Sequence, residues 1–129
     1  MKFYIAARFG LKDEVREVYK TLENKGHEIM ADWTEHKPVK PYADNQEVSQ
    51  EYSVEDIDAA MSCDVFILIS SDAGTGMYIE LGAAIANNIK TGTPKIYVIG
   101  EHTGRSMFYF HPSVMRKNTL AEVFEDLDI

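Results

Sequence analysis

The stretch from Ser62 to Asn88 reads SCDVFILISSDAGTGMYIELGAAIANN. Val65-Phe66-Ile67-Leu68-Ile69 is an unbroken apolar run, the pattern of a parallel strand covered by helices on both faces, and it reads as the central strand. Ser70 to Gly76 is a small, polar turn, and Met77 to Asn88 has the apolar spacing and alanine content of a buried helix. In an open α/β sheet the carboxyl ends of the strands and the helix starts after them form the ligand crevice. Glu80 falls near that helix start, between Ile79 and Leu81 and ahead of Gly82-Ala83-Ala84, where a solvent face is not expected. Two readings stand side by side. Glu80 favours the positive end of the helix dipole, worth about 0.3–1 kcal/mol, or it is a carboxylate kept ionised there, short of water, as a nucleophile or base. Asp64 and Asp72 bracket the same strand and turn. One opens a strand and the other dresses an exposed turn, and both lie close in sequence to the presumed site.

Upstream, Lys2 to Ala7 reads as the first strand, ending in Ala7-Arg8-Phe9-Gly10 at the same crevice. Val15, Val18, Tyr19 and Leu22 give Leu11 to Lys25 a helical stripe, closed by Gly26, and His27 to Ala31 reads as strand two. From Asp32 to Tyr52 the periodicity stops, leaving a long segment with Trp33, His36, Pro38, Pro41 and Tyr42, part of it helical around Asn45 to Gln50. Such a loop closes over something flat and polar, with Trp33 as a binding residue, or is a surface excursion with Trp33 tucked into the core. Ser53 and Asp56 have capping-box spacing ahead of a short helix through Ile57, Ala60 and Met61. Downstream, Lys95 to Gly100 reads as strand four and Met107 to His111 as a short strand five. Thr119 and Glu122 then cap a final helix with Leu120, Val123, Phe124 and Leu127 on its apolar face. The expected architecture is a single 1–129 domain: a three-layer α/β/α sandwich of about five parallel strands in flavodoxin-like order 2-1-3-4-5.

Composition narrows the partners. The chain has 129 residues, 45% hydrophobic and 26% charged, with net charge −8. That charge argues against a nucleic-acid polymer, whose binding relies on clustered Lys and Arg, while leaving room for one small anion. Cys63 is the only cysteine, so no disulfide or thiolate cluster is expected, and its apolar setting suggests a buried, inert thiol. The opening MKFYIAARFG is too briefly apolar for a signal peptide and no run is long enough to span a membrane, so the chain reads as cytoplasmic.

Several motifs fail. Gly74-Thr75-Gly76 lacks the third glycine of a dinucleotide fingerprint, and neither a P-loop nor a nucleophile elbow is present. His27, His36, His102 and His111 have no ligand spacing and read as surface or turn residues, so neither metal nor cofactor is expected.

Phe3-Tyr4-Ile5-Ala6, then Cys63-Asp64-Val65, then Gly76-Met77-Tyr78-Ile79-Glu80-Leu81-Gly82-Ala83-Ala84 together resemble the nucleoside 2-deoxyribosyltransferase family, which includes the deoxynucleoside 5'-monophosphate N-glycosidases. The similarity runs through most of the chain in order and length. It implies that Glu80 is the nucleophile that holds a covalent deoxyribosyl intermediate, that the Tyr4 hydroxyl orients it, and that Asp64 serves the base and its protonation. It also implies a homodimer or larger assembly in which Ser106 of one subunit reaches the sugar 5' end in another. The family's polar residue six positions before the nucleophile is Gly74 here, so Asp72 or Ser71 would serve in its place. Ser70, Ser71, Arg8 and Arg105 are the candidates for a phosphate, beside the glycine turn that ends at Gly76.

Cleaving an N-glycosidic bond builds positive charge on the sugar, which a fixed carboxylate stabilises or captures while an acid protonates the departing base. The expectation is therefore an enzyme that cleaves or exchanges the base of a 2'-deoxyribonucleoside or its 5'-monophosphate. The alternative is a nucleotide-sensing module that kept the crevice and lost the chemistry.

Overall fold

The computed structural model describes residues 1–129. Five strands form one sheet: β1 (Lys2–Ala6), β2 (Glu28–Ile29), β3 (Val65–Ile69), β4 (Lys95–Ile99) and β5 (Val114–Arg116). Their order is β2-β1-β3-β4-β5 and every pairing is parallel, as expected for the three-layer α/β/α sandwich. Four helices complete the layers: α1 (Lys12–Asn24), α2 (Gln46–Ser62), α3 (Gly76–Thr91) and α4 (Leu120–Leu127).

The three central strands are long apolar runs because both of their faces are covered. Tyr4 pairs with Phe66 and Ile5 with Ile67, so alternate residues separate the two faces. Tyr4 and Phe66 stack at 5.8 Å on the side of α3, and Tyr4 is fully buried. Tyr97, in register with Ile67, faces the other layer, where its hydroxyl bonds Asp126 of α4. The Lys25 ammonium at the end of α1 lies 5.1 Å from the Phe124 ring of α4, which places those two helices on one face. Helices α2 and α3 pack against one another on the other.

Two sequence expectations are corrected. Met107 to His111 is not a strand: Met107–Phe110 is a 3-10 turn capped by Ser106, which accepts from the Phe108 N–H, and the fifth strand is Val114–Arg116. Only Tyr109 of that turn is buried while Met107, Phe108 and Phe110 are exposed, one inward residue in four rather than an alternation. Ser53 caps nothing, because α2 already begins at Gln46, and its hydroxyl donates to the Gln50 carbonyl inside the helix. The expected helical stretch around Asn45 to Gln50 is the first part of α2. Thr119 does cap α4, accepting from the Glu122 N–H, while the Glu122 carboxylate accepts from the Asn118 N–H.

Ile67 is fully buried on the face away from Tyr4. Ile67→Ala should cost about 2–5 kcal/mol of stability, read as a lower urea midpoint at unchanged slope, and a midpoint equal to wild type would contradict the packing described.

Candidate functional site

The site forms where β1 and β3 end and α3 begins. Gly74 has φ +95, and a Cβ there would meet the Arg8 Cβ at 2.7 Å, so the turn closes against Arg8 only because residue 74 has no side chain. Arg8 Nε in turn donates to Ser71 Oγ at 2.8 Å, and Ser71 is buried. Thr75 gives α3 no side-chain cap, and the Gly76 and Met77 N–H groups have no intramolecular acceptor. Such a helix start favours an anion.

Glu80 is the fifth residue of α3. Side chains on a helix lean toward its N-terminus, which carries this carboxylate back over the sheet. There Tyr4 Oη donates to Glu80 Oε1 at 2.7 Å. Burial pushes the Glu80 carboxyl up to about 8; the Tyr4 hydrogen bond opposes that rise and the Asp56 carboxylate adds to it. The expectation that the helix N-terminus keeps Glu80 ionised is therefore corrected: the dipole fades beyond the first turn, and desolvation prevails. Burial likewise pushes the Tyr4 hydroxyl far up, so it remains a donor.

Asp64 does not join this pair. It stands exposed at the amino end of β3, opposite the crevice, where its Oδ2 accepts from the Lys2 N–H at 2.7 Å. The second acid is Asp56 of α2, whose carboxyl burial pushes up to about 6, against the lowering pull of His36 and with the repulsion of Glu55. In sequence Asp56 is masked by its capping-box spacing from Ser53, although an acid three places before the Ala59-Ala60 pair on a half-buried helix is a visible signal.

A cavity of about 830 Å³ opens beside Asp56 and Gly76, with Phe9, Tyr42, Tyr52, His36, Lys37 and Lys40 among its walls. His36 is not a surface residue. It is 15% exposed, its ring stacked on Tyr52 at 3.7 Å and its Nε2 3.7 Å from Glu55 and 3.9 Å from Asp56, an ion-pair spacing. Trp33 belongs to the core, 6% exposed, with Nε1 donating to the Ile5 carbonyl, so the tucked-in alternative describes it and the binding role does not. Asp72 is exposed in the turn and only skirts the site beside Ser71. Ser70 is buried and accepts from the His102 N–H, which ties the segment after β4 to the end of β3. Ser106 caps its own 3-10 turn. Cys63 is buried, its thiol pushed up to about 12, chiefly by burial.

The chain is similar in fold to a nucleotide N-glycosidase. The solved structure of the Clostridium botulinum CMP N-glycosidase BcmB superposes with a TM-score of 0.61, covering 100% of both chains at 21% identity. That full-length likeness in fold agrees with the resemblance read from the sequence. No protein-family model matches the chain, and no curated protein does. No helix is long and apolar enough to cross a membrane.

Because Glu80 titrates near 8 when folded and near 4.5 unfolded, the folded state holds its proton more tightly. The stability this confers is complete below about pH 4.5 and is lost as pH rises toward 8, by at most about 1.4 kcal/mol per pH unit. Glu80→Gln should therefore match wild type in urea unfolding near pH 4.5 and exceed it increasingly up to pH 8. A constant difference across that range would refute the buried-acid description.

Proposed function

We propose that this chain cleaves the N-glycosidic bond of a nucleoside or nucleoside 5'-monophosphate, with Glu80 as nucleophile and Asp56 as proton donor to the departing base. The observation that carries the reading is the 2.7 Å bond from Tyr4 Oη to Glu80 Oε1 at the mouth of the sheet. That donor fixes one carboxylate oxygen and leaves the other free to meet a sugar carbon.

Glu80 attacks C1', the bond from C1' to the base nitrogen breaks with its electron pair leaving on the base, and Asp56 gives that base a proton. Water then delivers its oxygen to C1' and a proton to Asp56, freeing Glu80. A second base in place of water would give exchange. Two displacements retain configuration at C1'. The acid protonates best when its own affinity for the proton is raised, which the half-buried position of Asp56 supplies.

The open N-terminus of α3, with Arg8 and Ser71 beside it, suits a 5'-phosphate. Lys37 and Lys40 on the cavity wall supply local positive charge to a chain of net charge −8. BcmB acts on CMP by its name, so the substrate range to test includes ribonucleotides. A homo-oligomer is part of this reading, since Met107, Phe108 and Phe110 are 78%, 55% and 55% exposed on the turn that begins at Ser106. Single apolar residues at a surface are ordinary, but three on one turn suit a second subunit.

A panel of ribo- and deoxyribonucleosides with their monophosphates, with and without an acceptor base, should release or exchange free base on chromatography. Glu80→Ala should lower kcat/KM on the order of 10³-fold or more, and Asp56→Asn by about 10²–10⁴-fold, with unchanged circular dichroism. Wild-type turnover in folded Glu80→Ala overturns the assignment. Saturable nucleotide binding by the wild type without free base would mark a sensing module instead.

A further inference from the structure

Two buried carboxyls compete for one proton in this site, and a third group stands over the weaker of them. His36 reaches the site from the segment between β2 and α2, its ring parallel to Tyr52 at 0° and 3.7 Å. The Tyr52 hydroxyl accepts the Lys37 N–H at 3.1 Å, so the same tyrosine holds both the ring and the backbone that carries it. His36 Nε2 and Asp56 Oδ1 are both buried, and neither has a hydrogen-bond partner. They face one another at 3.9 Å, with Glu55 Oε1 3.7 Å from the same nitrogen. At such separations an opposite charge shifts a carboxyl by about 1–3 pH units.

We propose that His36 is a positioning residue that withholds the proton from Asp56, and so sets how often Asp56 stands ready to protonate the leaving base. The proposal rests on Asp56 being the proton donor. With a proton on the imidazole the pair is His36 cation and Asp56 anion; with that proton moved across, it is neutral imidazole and Asp56 acid. Both forms hold the same number of protons, and only the second serves the chemistry. The other groups around the pair are Glu55 and Tyr52 on α2, Lys37 next to His36, Tyr4 of β1, Tyr19 of α1 and Glu80 of α3. Of these, Glu55 and Glu80 repel a second negative charge and work in the direction opposite to His36.

The sign of the effect follows from the order in which the acids titrate. Asp56, near 6, ionises before Glu80, near 8, so between those values the one proton that the two carboxyls share, apart from the proton on the imidazole, rests mainly on Glu80. The productive arrangement, Asp56 protonated and Glu80 ionised, is then the minority form, roughly one part in a hundred for a gap of two pH units. Removing the His36 charge lifts Asp56 toward Glu80. The productive fraction then grows, and the lower limb of the pH profile moves up with Asp56.

His36→Gln tests this. The carboxyl carbon of Asp56, followed by NMR in labelled protein, should titrate about one pH unit or more above wild type. The lower limb of kcat/KM against pH, on the substrate that the nucleotide panel turns over best, should rise by a similar amount, with a plateau up to about tenfold higher. Glu55→Gln, at a 45% exposed side chain, should move both in the opposite direction. Loss of packing on Tyr52 alone would lower activity at every pH and shift neither limb. An Asp56 titration unmoved in both variants overturns the proposal, as does a moved titration with a fixed lower limb. If wild type releases no base from any substrate, the proposed function falls, and the NMR titration still shows whether His36 governs the Asp56 proton.

Discussion

Everything at the crevice depends on one hydrogen bond, from Tyr4 of β1 to Glu80 of α3. A carboxyl this short of water is pushed toward its neutral acid, and Tyr4 is the donor that limits how far burial carries it. The phenol can do so because it is fixed. Its ring lies on Phe66, in register on the next strand, within a cluster that also includes Met77, Leu81 and Ala84 of the helix bearing Glu80. Ala84 is fully buried and Ala83 packs against the core, small side chains that let α3 sit close to the sheet, whereas Gly82 faces open space, so the inward pattern of the helix and the reach of the tyrosine solve one steric problem. Fold and site are joined through these side chains, and a slip of one residue in β1 would turn Tyr4 to the other face.

The electrostatics follow from that confinement. Asp56 and Glu80 each raise the cost of the other's ionisation, a coupling that water would screen at an exposed surface. Their folded values near 6 and near 8 bracket neutral pH, so the pair holds about one proton there. The proposed roles of nucleophile and acid need that stoichiometry. Which carboxyl holds the proton is decided by neighbours: the Tyr4 hydroxyl on one side, and His36 against Glu55 on the other.

Much of the architecture was legible because parallel strands and amphipathic helices write themselves in local periodicity. Val65 to Ile69 reads as a central strand without any tertiary knowledge, and so does the α1 stripe from Val15 to Leu22. Met107 to Phe110 misled because aromatic and apolar residues favour strands in general, whereas here Tyr109 alone turns inward. At the site, Tyr4 and Glu80 lie 76 positions apart, and only the resemblance joined them before the structure did. Asp64 misled for a geometric reason. Adjacent in sequence to the central strand, it lies at the amino end, a full strand length from the crevice, and sequence proximity says nothing about which end of a strand faces the ligand. Asp56 was hidden by the opposite circumstance, since a residue in the middle of a helix reaches the crevice only through the way α2 packs on α3.

In the proposed reaction the segment from Asp32 to Asn45 would tie specificity to protonation. Its first turn is anchored by Trp33, whose indole donates to the Ile5 carbonyl, one residue beyond Tyr4. Three positions after that anchor comes His36, and the cavity wall that includes Lys37, Lys40 and Tyr42 follows. Under the proposed function a base bound in the cavity would meet walls borne partly on the same short stretch of backbone that sets His36 against Asp56. Ordering that stretch around a well-fitting base would also fix the distance between imidazole and carboxylate, whereas a poorly fitting one would leave it unconstrained. On that proposal, recognition of the base and readiness of its proton donor would be two consequences of a single loop geometry.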